Sequence, residues 1–139
     1  MIKYLLLLSL VFGPASCKVS LVPGYDSDIV KLAGSIAKST DKLFLQIEDS
    51  KGPDRAYEKF KEKYIDVQVD LNDLLRKEKL RTKGAELVTI TDNIITQFTK
   101  YRERHRSEDL AIKDAVLVLQ REYISDHFNI LLAAEKALK

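Results

Sequence analysis

The spacing of hydrophobic and polar positions predicts helices along almost the whole chain. The clearest stretch covers about residues 54–81, where large apolar residues recur at alternating steps of three and four. Such steps place side chains on one face of an α-helix, whereas a half-buried strand needs a period of two. The strand-like run "IDVQVDL" lies inside this pattern, so we assign it to the same helix. The stripe comprises Tyr57, Phe60, Tyr64, Val67, Leu71 and Leu74.

A similar stripe precedes it and predicts a first helix that ends near residue 48. Asp26 or Ser27 should begin this helix, because both residue types are good N-caps. The segment "DSKGPD" should end it, since Gly52 suits a C-terminal cap and Pro53 fits the first turn of the next helix. The apolar positions are Ile29, Leu32, Ile36, Leu43, Phe44 and Ile47.

Two further helices are predicted after Gly84, at about residues 86–104 and 107–138. Ser107 can cap the last one through its hydroxyl group. Connections between consecutive helices are short, which favours antiparallel neighbours. The sequence therefore predicts an all-α, up-down antiparallel four-helix bundle over residues 26–139, long enough to be stable without disulfides.

The fourth helix carries two apolar stripes, displaced from each other around its axis. Such a helix is either the most enclosed member of a bundle or partly exposed for a partner. We favour enclosure. The first stripe comprises Leu110, Leu117, Ile124, Phe128 and Leu131, and the second comprises Ile112, Val116, Leu119, Tyr123 and Ile130.

The N-terminal residues, "MIKYLLLLSLVFGPASC", combine one lysine, a short apolar run and small residues before Cys17. The run is too short to span a bilayer, which takes about 20 residues. It is typical of a cleaved signal peptide. We assign residues 1–16 to the signal, 17–25 to the modified N-terminus and tether, and 26–139 to the bundle.

Cys17 is the sole cysteine of the chain, so an internal disulfide is excluded. The end of the signal resembles a bacterial lipobox, in which a small residue precedes an acylated cysteine. Ala15, Ser16 and Cys17 match that pattern, whereas Pro14 stands where Leu, Val or Ile is usual. The resemblance implies lipidation at Cys17. The alternative is ordinary cleavage after Ala15, which leaves a soluble protein with a thiol near its terminus.

The formal net charge of +2 offers no argument for nucleic-acid binding. Two local basic runs, "RKEKLRTK" and "KYRERHR", fall where helices should end. Cations there complement the helix dipole, so we interpret both runs as solvated helix termini. Contact with anionic lipid headgroups is the alternative interpretation.

No pattern of residues predicts catalysis, a metal centre or a cofactor, so we expect a non-enzymatic protein. The two histidines, His105 and His127, stand in no recognised metal-binding spacing. Asp66, Asp70 and Asp73 recur at helical spacing beside the apolar stripe. We interpret them as a solvated face, because catalytic carboxylates need burial to tune their pKa values.

Three stretches resemble an uncharacterised family of small helical bacterial lipoproteins. They are "CKVSLVPGYDSDIV" after the signal, "LFLQIE" at residues 43–48 and "YIDVQVDLNDLL" at residues 64–75. The resemblance implies a lipid-anchored envelope protein of unknown activity. Lys18, in place of the aspartate that marks inner-membrane retention in some bacteria, favours the outer membrane by the same resemblance.

The expected function is therefore a lipid-anchored envelope protein with a helical interaction domain, whose partner is another envelope protein or itself. The alternative is a soluble, secreted or periplasmic bundle that binds a small apolar ligand between its helices. The expected partner surface comprises Tyr25, Asp26, Ile112, Val116, Leu119 and Tyr123.

Overall fold

The computed structural model describes residues 22–139, and the predicted signal peptide and Cys17 lie outside this range. Four α-helices account for most of it: α1 (Ser27–Asp49), α2 (Tyr57–Leu80), α3 (Ala85–Glu108) and α4 (Asp114–Lys136). Short 3₁₀ turns at Gly52–Arg55 and Asp109–Ala111 join α1 to α2 and α3 to α4. Residues 22–139 contain no strand, so the all-α prediction is confirmed.

The helices form a ring in which each packs against two neighbours. The main contacts join α1 to α2, α2 to α3, α3 to α4 and α4 to α1. Consecutive helices are antiparallel, which confirms the up-down bundle. At one end, here called the entry end, the chain enters α1, α2 turns into α3, and α4 finishes. The opposite, far end holds the α1–α2 and α3–α4 connections.

The predicted stripe of α2 is entirely buried. It packs with apolar residues of the other three helices into one core. Full burial of one such side chain contributes about 1.5–3 kcal/mol, so the stripe stabilises the bundle far more than any surface ion pair. The side chains of α2 in this core are Tyr57, Phe60, Tyr64, Val67, Leu71 and Leu74.

The start of α1 follows the prediction, because Asp26 is its N-cap. Asp26 Oδ1 accepts hydrogen bonds from the backbone N–H groups of Asp28 and Ile29, at 2.8 and 3.2 Å. At the other end of α1 the cap is Ser50, not Gly52. Gly52 instead has a φ of +54° at the first position of the 3₁₀ turn, a backbone region that glycine tolerates best.

The predicted start of α4 at Ser107 is wrong. Ser107 lies within α3, and its hydroxyl group donates to the Arg104 carbonyl at 3.1 Å. The chain turns instead at Asp109, where φ is +46°, and α4 begins at Asp114. The Asp109 carboxylate accepts the backbone N–H of Tyr57 at 2.8 Å, which holds this turn against the start of α2.

A buried arginine joins the two connections at the far end. The Arg55 guanidinium donates to the carbonyl groups of Glu48, Ser50 and Ile112 at 3.0–3.3 Å. It also forms an ion pair with Asp114 at 2.6 Å. Because these partners lie at the end of α1 and the start of α4, Arg55 satisfies carbonyl groups at both places.

His105 lies fully buried in α3, among aromatic rings of α2. Its Nε2 lies 2.8 Å from the Arg55 carbonyl oxygen, which only accepts, so Nε2 carries the proton. Nδ1 then accepts from the Tyr64 hydroxyl at 3.1 Å. Burial lowers the pKa of His105 below its usual 6.5, so the neutral ring is the stable form.

Replacing Tyr64 by phenylalanine should lower the free energy of unfolding by about 1–2 kcal/mol, because His105 Nδ1 would be buried without a donor. Urea unfolding of the variant and the parent measures the difference. Tyr123→Phe, at an exposed position of α4, is the control and should change stability by under about 0.5 kcal/mol. Equal effects of the two substitutions would contradict a structural role for the Tyr64 hydroxyl.

Candidate functional site

The residues of the expected partner surface do not form one patch. Tyr25 and Asp26 lie at the entry end, whereas Ile112 and Val116 lie at or near the far end. A helix of 23 residues is about 34 Å long, which separates the two groups. Ile112 is only 2% exposed and belongs to the core, so its assignment to an exposed surface is corrected. Cys17 lies outside the described residues.

The expected enclosure of α4 is wrong for part of its second stripe. Leu119 is 65% exposed, and Tyr123 and Ile130 are also exposed, while Val116 is half-buried against the core. In a ring of four helices each helix has one outward face, and the second stripe reaches that face. Tyr123 and His127 pack their rings there, with centroids 4.4 Å apart. We call Leu119, Tyr123 and Ile130 the α4 face.

The carboxylates beside the α2 stripe behave as the solvated face that the sequence predicts. Asp66 and Asp70 are exposed, and Asp73 pairs with Arg76 and Lys77. The groove between α1 and α2 next to them has a volume of about 250 Å³. Leu43 and Val67 form its apolar part, and the other six side chains that line it are charged or polar. They are Ser39, Lys42, Gln46, Lys63, Asp66 and Asp70.

The least expected feature of the bundle is a pair of fully buried glutamates at the entry end. Glu78 lies near the end of α2 and Glu135 near the end of α4, both with no exposed surface. One guanidinium serves both carboxyl groups: Arg81 Nη1 lies 2.9 Å from Glu78 Oε2 and 2.5 Å from Glu135 Oε1. We call these three residues the entry cluster.

The entry cluster also binds the segment that leads into α1. Arg81 Nη2 donates to the Gly24 carbonyl oxygen at 2.6 Å. Residues 22–26, here called the entry segment, thus lie against the α2–α3 turn. A shallow groove of about 330 Å³ separates the two, with Tyr25 on one side and Leu80 on the other.

A single guanidinium cannot neutralise two buried carboxylates, so one of them keeps its proton. Burial, together with the hydrogen bond and charge of Glu135, raises the pKa of Glu78 to about 7 against the opposing charge of Arg81. Glu78 Oε1 and Glu135 Oε2 accept no hydrogen bond from any donor of residues 22–139. A proton held between the carboxyl groups explains how both remain buried.

Both glutamates occupy positions that continue an apolar stripe. Glu78 follows Leu74 by four residues, and Glu135 follows Leu131 by four. That spacing is the one signal by which the sequence could have disclosed the cluster. It was missed because glutamates near helix ends are usually solvated. Elsewhere, Arg121 of α4 pairs with Glu48 and Asp41 of α1.

Within residues 22–139, no group of three or more His, Cys, Asp or Glu side chains is arranged to hold a metal ion. No helix of this part of the chain is long and apolar enough to cross a membrane. The entry cluster has no exposed carboxyl oxygen to offer a substrate. The entry cluster can hold one proton between its carboxyl groups, and it binds the entry segment through Arg81.

Comparison with known proteins adds no relative. No protein-family model matches the chain, and no curated protein or solved structure matches it either. The interpretation of the entry cluster and of the α4 face therefore depends on their own geometry.

Replacing Glu78 by glutamine should change the pH dependence of stability. The raised pKa means that the folded parent retains a proton that the unfolded chain loses, so the contribution of Glu78 to stability declines from about pH 4.5 to pH 7. Glutamine mimics the protonated form at every pH. The variant should gain on the order of 2 kcal/mol over the parent between pH 5 and pH 8.

Urea unfolding of both proteins at half-unit steps of pH measures this gain. Glu86→Gln, at an exposed position near the start of α3, is the control and should show no gain of that size. A constant difference between Glu78→Gln and the parent across the whole range would exclude a proton on Glu78.

Arg81→Ala should lower the free energy of unfolding by about 3–5 kcal/mol, because it leaves two buried carboxyl groups without a cation. Adding Glu78→Gln to that variant should restore part of the loss. The matched control is Arg76→Ala, which removes an exposed arginine of the last turns of α2 and should cost under about 1 kcal/mol. Similar losses for Arg81→Ala and Arg76→Ala would contradict the role of the entry cluster.

Proposed function

We propose that this protein is a lipid-anchored bacterial envelope protein, acylated at Cys17, whose bundle serves as a non-enzymatic interaction domain. The observation that carries the proposal is the attachment of the entry segment to the bundle. Arg81 binds the Gly24 carbonyl oxygen, and Asp26 caps α1 two residues later. The chain is thus fixed to the bundle only seven residues after the proposed lipid site.

This short tether limits how far the bundle can stand from a membrane. Seven residues span at most about 25 Å when fully extended. A long linker would let the domain act far from the membrane, whereas a linker of seven residues keeps the entry end within about 25 Å of the bilayer. Two or more acyl chains on Cys17 would make the attachment stable, since each buried methylene contributes about 0.8 kcal/mol.

The α4 face is the surface that we propose for a protein partner, either another envelope protein or a second copy of this chain. Leu119, Tyr123 and Ile130 are exposed along the outward side of α4. Isolated exposed apolar residues are ordinary, but three on one helix face favour an interaction surface. The expected surface is thereby reduced to Leu119, Tyr123 and the adjoining Ile130, with Tyr25 and Asp26 assigned to the entry end.

The alternative of a soluble bundle that binds a small apolar ligand gains no support. The groove between α1 and α2 has a volume of about 250 Å³ and is lined by lysines and aspartates as well as by Leu43 and Val67, and a second cavity, between α1 and α4, has a volume of only about 30 Å³. Drug-sized ligands occupy about 300–1,000 Å³ of largely apolar space.

Membrane fractionation of the parent and of Cys17→Ser, in a bacterium that processes lipoproteins, tests the anchor. We expect the parent in the membrane fraction, with acyl chains on its N-terminal peptide by mass spectrometry. Cys17→Ser should lose both. A second variant, Cys17→Ser with Ser20→Cys, keeps one thiol but moves it out of the lipobox position, and should behave like Cys17→Ser. A parent that begins at Ser16 without added mass would overturn the proposal.

A further inference from the structure

The α2–α3 turn presents an exposed apolar side chain beside uncompensated cations. Leu80, the last residue of α2, is 80% exposed, the highest value for a large apolar residue among residues 22–139. Lys79 and Lys83 flank it, and both are exposed. Neither lysine forms an ion pair with any residue of this range. The turn thus combines an apolar tip with free positive charge.

Two neighbours extend this surface. Tyr25 lies across the shallow groove from Leu80 and is itself exposed. Lys136, at the end of α4, adds an exposed cation at the same end of the bundle. Of the nearby carboxylates, Asp26 caps α1 and Asp28 pairs with Lys31, while Glu86 is exposed. We call Tyr25, Lys79, Leu80 and Lys83 the entry face.

The far end also carries an exposed leucine and basic residues, but it differs from the entry end in how its cations are paired. Leu110 is 51% exposed there, and it follows a basic run at residues 100–106. Arg104 pairs with Glu108, and Arg106 pairs with Glu103. Arg102 donates to the Tyr57 hydroxyl oxygen at 3.1 Å. Most of the far-end cations therefore already have partners, whereas Lys79 and Lys83 do not.

The position of the entry face indicates which partner it contacts. The entry segment lies against the α2–α3 turn and leads back to Cys17 within about 25 Å of chain. A chain anchored at Cys17 holds the entry end within that distance of the bilayer. Bacterial membranes that carry anionic lipids attract juxtamembrane lysines, and an exposed leucine and tyrosine suit the headgroup boundary.

We propose that the entry face docks on the surface of a bilayer that contains anionic lipid, with Leu80 inserted among the headgroups and Lys79 and Lys83 beside lipid phosphates. The bundle then stands on the membrane at its entry end, and the α4 face remains free for a protein partner. This inference rests on the proposed anchor for the location of the entry face. The affinity of the entry face for anionic lipid can still be measured on a chain that lacks the acyl anchor at Cys17.

Orientation can be tested with single tryptophans, because the chain contains none. Leu80→Trp, Leu110→Trp and Leu119→Trp place one reporter on the entry face, the far end and the α4 face. Each acylated protein is reconstituted into vesicles of phosphatidylglycerol and phosphatidylcholine that carry a shallow spin-labelled lipid. Thermal unfolding first establishes that each variant keeps the parent's fold.

We expect a blue-shifted, strongly quenched emission only for Leu80→Trp. Quenching at position 119 instead would mean that the bundle lies on its side, and would overturn the proposal. Quenching at none of the three positions would also overturn it, since the bundle would then hang from its tether without contact.

Affinity can be tested without the anchor, on the mature chain carrying Cys17→Ser. Replacing Lys79 and Lys83 together by glutamine should weaken binding to anionic vesicles about 25-fold, at about fivefold for each lysine. Replacing Lys100 and Lys113, two exposed far-end lysines, removes the same charge and should change binding by less than about twofold. Equal effects of the two pairs would refute the entry face.

The two proposals fail in different ways. If the parent is never acylated but the Cys17→Ser chain binds anionic vesicles through Lys79 and Lys83, the anchor is wrong and the entry face stands. If the parent is acylated but Leu80→Trp is not quenched, the anchor stands and the entry face is wrong.

Discussion

One guanidinium group, shared between two buried carboxyl groups, determines how this bundle closes at its entry end. Arg81 lies between Glu78 of α2 and Glu135 of α4, and it also binds the Gly24 carbonyl oxygen. Three separate parts of the chain thus meet at one side chain. Because burial of an unpaired charge is costly, each of the three contacts depends on the other two. Arg81 thereby holds the entry segment and the α2–α3 turn against the end of α4.

The architecture could be predicted because the residues that pack between helices recur at steps of three and four along the chain. All six α2 positions chosen from that spacing are buried, from Tyr57 to Leu74. The start of α4 could not be predicted, since Asp109 adopts a positive φ that is stabilised by a contact with Tyr57, 52 residues away. Likewise, the partial exposure of α4 depends on the position of its neighbours, which the spacing of its own residues does not specify.

The chemistry was harder to predict than the fold, because it depends on pairing across the bundle. The runs "RKEKLRTK" and "KYRERHR" are both rich in cations, and each is interrupted by a single glutamate. Only the folded chain distinguishes them. Arg104 and Arg106 pair with carboxylates on their own helix. In the other run Arg76, Lys77 and Arg81 are paired, but Lys79 and Lys83 form no ion pair within residues 22–139. Glu78 shows the reverse case, a residue that looks solvated in the sequence and is completely enclosed in the bundle.

His105 and Glu78 have pKa values that folding shifts in opposite directions. Burial lowers the pKa of His105 below its usual 6.5, so folding removes a proton that the unfolded chain would still carry just below that pH. The pKa of Glu78, at the opposite end, is raised above its usual 4.5, so folding keeps a proton that the unfolded chain would already have lost. The two groups therefore act in opposite directions. The proton that folding excludes from His105 opposes the proton that folding retains on Glu78, so each group reduces the pH dependence that the other gives to stability.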